Sequence, residues 1–271
     1  MTSPDSTPDD TSSTEASVPL IELRGVGKSY GNIAALHGID LRVGAGEVVC
    51  VLGDNGAGKS TLIKIMAGLH GQSEGQLLVD GEPTSFGSPK DALDKGIATV
   101  YQDLAVVSLM PVWRNFFLGQ ELRRGRILKS LDIDAMRATT IDELGKIGID
   151  LPDVDAPIGT LSGGQRQCVA IARAMFFGAR VLILDEPTAA LGVKQSGMVL
   201  RYIAAAREKG LGVVFITHNP HHAYLVGDHF VLLNRGRLTL DRARGDITLD
   251  DLTTEMAGGQ ELAALTQELG R

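Results

Sequence analysis

Two cysteines in 271 residues leave little for disulfide bracing, and neither Cys50 nor Cys168 has a partner at metal-ligand spacing. Cys50 lies in the apolar run VVCVLG and Cys168 in RQCVAIARAM, so both read as reduced core residues. No apolar stretch approaches the roughly 20 residues of a membrane span. The opening MTSPDSTPDDTSSTEAS has neither the basic start nor the apolar centre of an export signal, and the expected location is the cytosol. Excess basic charge is missing too. The net charge is −7, and residues 1–18 carry Asp5, Asp9, Asp10 and Glu15 without a Lys or Arg, leaving −3 for the rest. Nucleic-acid binders ordinarily show a basic face, so no nucleic-acid partner is expected.

The length suffices for one large domain with a substantial core. Residues 1–18, rich in Ser, Thr, Pro and Asp, bury too little apolar surface to offset ordering entropy and read as a disordered tail. From Pro19 the runs LIELRGVGKSY, IDLRVGAGEVVCVLG and QLLVDGEP alternate and break at glycines, which suggests a mostly antiparallel layer. VVCVLG followed by a glycine-rich turn and STLIKIMAGL is strand, loop, helix. Residues 91–103 read as a helix entering a strand, and residues from about 104 to 176 as helix-rich. VLILDE and GVVFITH, separated by a helical segment, imply parallel strands. FVLLNRGRLTL reads as a hairpin, and 251–271 as a short helical tail after a main domain over 19–250.

The segment Gly53-Asp-Asn-Gly-Ala-Gly-Lys-Ser60 fits G-x-x-x-x-G-K-[ST] between a strand and a helix. Gly53, Gly56 and Gly58 let the backbone turn its N–H groups inward, with Asn55 between them. The helix N-terminus at Lys59, Ser60 and Thr61 adds positive potential, and together these make a phosphate cradle. Lys59 reaches for β- and γ-phosphates and Ser60 for Mg²⁺. Asp185 and Glu186 close the apolar run VLIL at the mouth of a parallel strand, where α/β sheets bind ligands. There Asp185 can hold the metal and Glu186 can polarise water. Leu161-Ser-Gly-Gly-Gln165 opens another helix, and is either a second phosphate turn or an ordinary N-cap.

With all three in order, the chain resembles the ATP-binding subunits of ABC transporters from about residue 20 to 250. GDNGAGKST looks like the Walker A loop, VLILDE the Walker B strand and LSGGQ the family signature. The resemblance implies an α/β fold: a P-loop NTPase cassette with a RecA-like parallel core, an antiparallel β subdomain and a helical subdomain. It implies ATP and Mg²⁺ as cofactors, and a head-to-tail homodimer in which Ser162, Gly163, Gly164 and Gln165 close over the nucleotide held by the partner copy. It also implies that Tyr30 stacks on adenine and that Gln102 joins Ser60 and Asp185 at the metal and links to the membrane partner. Hydrolysis would then use Glu186 as base and His218 against the γ-phosphate.

YQDLAVVSLMPVWRNFFLGQEL, DEPTAALGVKQS and THNPHHAYLVGDHFVLLNRGR look like the subgroup energising monosaccharide import, of the ribose, xylose or fructose kind. Permease subunits, and indirectly a sugar-binding protein, are the implied partners, with the chain peripheral on the inner face of the cell membrane. A soluble ABC-type ATPase and an exporter subunit are the alternatives. Trp113, Phe116 and Phe117 are either core or part of the permease docking surface. One position departs from the general family: Gly192 stands where S-A-L-D members carry an aspartate.

Overall fold

The computed structural model describes residues 18–125, 130–146, 148–149, 151 and 153–258. The expected disordered tail, apart from Val18, and the end of the C-terminal tail lie outside these residues.

The longer strands form two sheets. β1 (Ile21–Tyr30) pairs antiparallel with β2 (Ile33–Val43) and with β4 (Glu74–Val79), which turns through Asp80 and Gly81 into β5 (Glu82–Thr84). This is the antiparallel layer, in strand order β2-β1-β4-β5. The second sheet runs β12-β11-β3-β10-β9-β6. Its members are β3 (Val48–Leu52), β6 (Ile97–Val100), β9 (Val181–Asp185), β10 (Gly212–Thr217), β11 (His229–Asn234) and β12 (Arg237–Ala243). β6, β9, β10, β3 and β11 are parallel, and β12 folds back antiparallel on β11 as the sequence hairpin predicts.

β3 and β10 are buried along their whole length, the signature of parallel strands covered on both faces. Successive residues serve opposite cores, as a period of two requires. Val49 and Val51 pack with α1 (Lys59–Met66) and the antiparallel layer. Val48, Cys50 and Leu52 pack with α5 (Gly163–Phe176), α6 (Val193–Glu208) and α7 (Pro220–Val226). Both cysteines are free and fully buried, and burial pushes both thiols up, Cys168 to about 12.

The stretch from 104 to 176 is less helical than its pattern suggests. α3 (Val112–Phe116) and α4 (Ile133–Gly145) precede α5, with long loops and the two-residue strands β7 (Arg123–Arg124) and β8 (Ser130–Leu131) between them. α2 (Pro89–Asp94) leads into β6, and α8 (Leu249–Met256) begins the C-terminal tail. No helix among the described residues is long and apolar enough to cross a membrane.

The docking reading of Trp113, Phe116 and Phe117 is corrected, because all three are buried. The two phenylalanines pack edge-on and tilted against Phe176 and Phe177 at the end of α5. The Trp113 indole donates to Asp155 Oδ1 at 2.8 Å while the Arg137 guanidinium lies over its ring. Leu109 and Val107, on the loop before α3, are exposed apolar side chains of this segment. That loop is held by buried Asn115, whose amide donates to the carbonyls of Val107, Met110 and Pro111 and accepts from Val107 N–H.

Candidate functional site

The turn after β3 is shaped by glycines that nothing larger can replace. Gly53 has φ +148°, and a methyl there would lie 2.3 Å from the Leu233 carbonyl oxygen. Gly58, at φ +113°, caps α1 where a methyl would meet Leu36 Cδ2 at 2.8 Å. The turn therefore wraps tightly against the β11–β12 hairpin and leaves the first N–H groups of α1 facing outward. Lys59 is buried, and its ammonium donates back to the carbonyls of Gly53 and Asp54.

A cavity of about 510 Å³ opens over this turn. Asn55, Gly56, Gly58, Lys59, Ser60, Thr61, Gln102, Asp185 and Glu186 line it together. Residues far apart in sequence converge because β3, β9 and β6 run parallel and end on the same side of the sheet. Glu186 follows β9 with φ +46°, an unusual conformation for a residue with a side chain, and its N–H donates to Ile216 O. One carboxylate oxygen lies 3.9 Å from Lys59 Nζ, and the other is 2.9 Å from His218 Nδ1. An ionised carboxylate can only accept, so the imidazole donates from Nδ1.

Asp185 is half-buried, and its carboxyl is pushed up by burial and by the neighbouring Glu186 charge, with Lys59 opposing. A divalent cation would reverse that penalty. The Ser60 hydroxyl, the Gln102 amide oxygen and the Asp185 carboxylate are hard oxygen donors on one cavity, the kind Mg²⁺ takes alongside phosphate and water. Among the described residues no group of three or more His, Cys, Asp or Glu is placed to hold a metal ion.

Three groups of expected residues are not among those lining this cavity: His218, which meets it through Glu186, Tyr30, and the Ser162–Gln165 turn. Tyr30, at the end of β1, is partly exposed beyond Ile33, which lines the cavity. Its ring meets His70 edge-on at 5.8 Å between centroids, with the Lys28 ammonium 5.2 Å from its centre. Ser162, Gly163, Gly164 and Gln165 do not line the cavity either. Ser162 caps α5, accepting from Gln165 N–H, while the Gln165 side chain accepts from Ser162 N–H. The N-cap reading thus holds locally, and the turn leaves this chain's own phosphate loop alone.

Ile33, Ala34, Ala35, Arg235 and Gly236 also line the cavity. The hairpin containing Arg235 is legible in sequence, but nothing local ties it to a site 180 residues earlier. Thr188 escapes sequence reasoning for the same reason. It is buried just after Glu186, and its hydroxyl is hydrogen-bonded to His222 Nδ1 at 3.0 Å.

A glycine-lined phosphate loop at a helix N-terminus after β3, with an acid pair at the end of β9, one strand removed in the same parallel sheet, defines a P-loop ATPase. The family model described as ABC transporter matches residues 36–189. The chain belongs to the ABC transporter family, as one of its ATP-binding, ATP-hydrolysing cassettes using Mg²⁺. It is 41% identical over 237 residues to the xylose/arabinose import ATP-binding protein XylG of Sulfolobus acidocaldarius, covering 88% of this chain and 93% of that one. It is 41% identical over 251 residues to the fructose import ATP-binding protein FrcA of Rhizobium meliloti, covering 91% and 96%. Among solved structures, cbiO1 from Clostridium perfringens, part of the ABC transporter complex cbiONQ, superposes with a TM-score of 0.71 at 27% identity, over 92% of this chain and 94% of that one.

Proposed function

We propose that this chain energises the import of a simple sugar, working as a head-to-tail pair of identical chains beneath membrane permease subunits on the inner face of the membrane. The observation that carries the chemical part is the convergence of Ser60, Gln102, Asp185 and Glu186 around Lys59. Lys59 and the turn from Gly53 to Thr61 hold the phosphates, and Ser60, Gln102 and Asp185 take the metal, which compensates phosphate charge. Glu186, oriented by His218, draws a proton from the attacking water. Tyr30 stacks on adenine with the ring face opposite Lys28. The Ser162–Gln165 turn serves the partner copy's nucleotide, in keeping with its place outside this chain's own cavity.

Two features support the transport part. XylG and FrcA, both described as sugar import proteins, align over nearly their whole lengths. An apolar groove of about 270 Å³, lined by Leu93, Leu104, Val106 and Phe177 among others, lies beside exposed Val107 and Leu109 and offers a seat for a permease helix. The deciding experiment is uptake in a deletion strain across a panel of pentoses and hexoses. One sugar should lose uptake, regained with the wild-type gene and not with Glu186→Gln. Unchanged uptake of every sugar would overturn the import reading.

A further inference from the structure

The segment that carries Glu186 is held in an uncommon shape. Glu186 and Ala190 both have positive φ, +46° and +58°, and each such residue with a side chain costs on the order of 1–2 kcal/mol unless its surroundings impose it. Between them sits Thr188, buried, with its hydroxyl on His222. Glu186 is on His218. The two imidazoles are four residues apart across the start of α7, and their two partners are two residues apart on the loop. They form a pair of rungs between the loop and the helix start.

The helix end of the rungs is rigid for local reasons. The Asn219 side chain caps α7 by accepting from His222 N–H at 3.1 Å, and Pro220 fixes the first helical φ. Asn219 N–H in turn donates to Thr217 Oγ1 at the end of β10. The imidazole of His222 is therefore placed relative to the sheet, and through it so is Thr188.

We propose that His222 is a positioning residue for ATP hydrolysis: by holding Thr188 it fixes the strained loop and so the place of the Glu186 carboxylate over the phosphate turn. This rests on the reading of Glu186 as the base. Partial burial, with repulsion from His221 and His218, pulls the His222 imidazole below its usual range. His222 lines no part of the phosphate cavity, so its contribution falls on turnover rather than on nucleotide binding.

The test compares His222→Ala, His222→Asn, Thr188→Val and the pair His222→Ala/Thr188→Val in the full-length chain, with Glu186→Gln alongside. His222→Ala and Thr188→Val should each lower kcat roughly tenfold with ATP affinity within about twofold of wild type. His222→Asn, whose amide sits near the position of Nδ1, should restore most of the rate. The double variant should be no slower than either single one, since both remove the same rung. Wild-type kcat in the single variants, additive losses, or parallel loss of rate, affinity and melting temperature without rescue by Asn would each overturn the proposal. Loss of turnover in Glu186→Gln with unaffected His222 and Thr188 variants overturns it alone. Full turnover in Glu186→Gln overturns the reading of Glu186 and, with it, what the rung positions.

Discussion

Glu186 and His218 face each other at 2.9 Å, carboxylate Oε2 to imidazole Nδ1, while the second carboxylate oxygen stands 3.9 Å from Lys59. The carboxylate is thus oriented from one side and drawn toward the phosphate turn from the other. Glu186→Gln keeps the shape and the His218 contact but cannot take a proton. Its kcat should fall at least about a hundredfold while ATP binding persists, as read from phosphate release and nucleotide titration. Unchanged rates would remove Glu186 from the chemistry.

The sites legible in sequence are those whose chemistry is local. GDNGAGKS declares its function because a tight turn, a helix start and a lysine fall within eight residues. VLILDE shows itself because acids at the end of an apolar run need a reason to stay charged. The strand order β12-β11-β3-β10-β9-β6 is not legible, since buried parallel strands look alike and choose neighbours by crossover geometry. The His222–Thr188 contact spans 34 residues between two common residue types and leaves no pattern. The aromatic cluster is ambiguous in sequence for a different reason, because Trp, Phe and Phe read the same whether they face a partner or Phe176 and Phe177.

Core and docking roles in that segment separate by experiment. Trp113→Ala removes a buried indole and the donor it gives Asp155, and should cost about 3–5 kcal/mol, a drop on the order of 10 °C in melting temperature. Leu109→Glu, at a side chain 88% exposed, should leave melting within about 2 °C while reducing co-purification with the permease. A large melting shift for Leu109→Glu would place that residue in the core instead.

Gly192 is the N-cap of α6, with φ −71° and ψ 164°, a conformation open to any residue. A methyl there would find only Gln195 Oε1, at 4.0 Å. Backbone geometry therefore does not require this glycine. Gly192→Asp should place a carboxylate on the free N–H groups of α6 and stabilise by a few tenths of a kcal/mol, a rise of about 1 °C by calorimetry. A fall in melting temperature would show that the loop before it cannot accept the charge.

Glu22 is buried on β1 and accepts from Arg24 Nη2 and Arg42 Nε, each at 2.8 Å. The Arg24 hydrogen bond, helped by Arg42 and opposed by burial, holds its carboxyl below the ordinary glutamate value of 4.5. A folded pKa below the unfolded one gives stability that is present above the unfolded value and lost as pH falls through the folded one. Glu22→Gln should therefore melt lower than wild type at pH 7, with the gap closing below about pH 4.5 in a series of thermal melts. A gap independent of pH would assign the loss to packing alone.

The Ser162–Gln165 turn is shaped from within its own chain. A methyl on Gly163 would lie 2.9 Å from Leu191 Cδ2, and one on Gly164 2.9 Å from Gln195 Cβ, both just downstream of Glu186. In a head-to-tail dimer this bears on intragenic complementation. A chain altered at Gly164, mated with one altered at Lys59, would by trans logic alone retain one wild-type site. Because a side chain introduced at position 164 would also press on its own chain's segment after Glu186, that surviving site inherits the defect, and the two alleles rescue each other poorly.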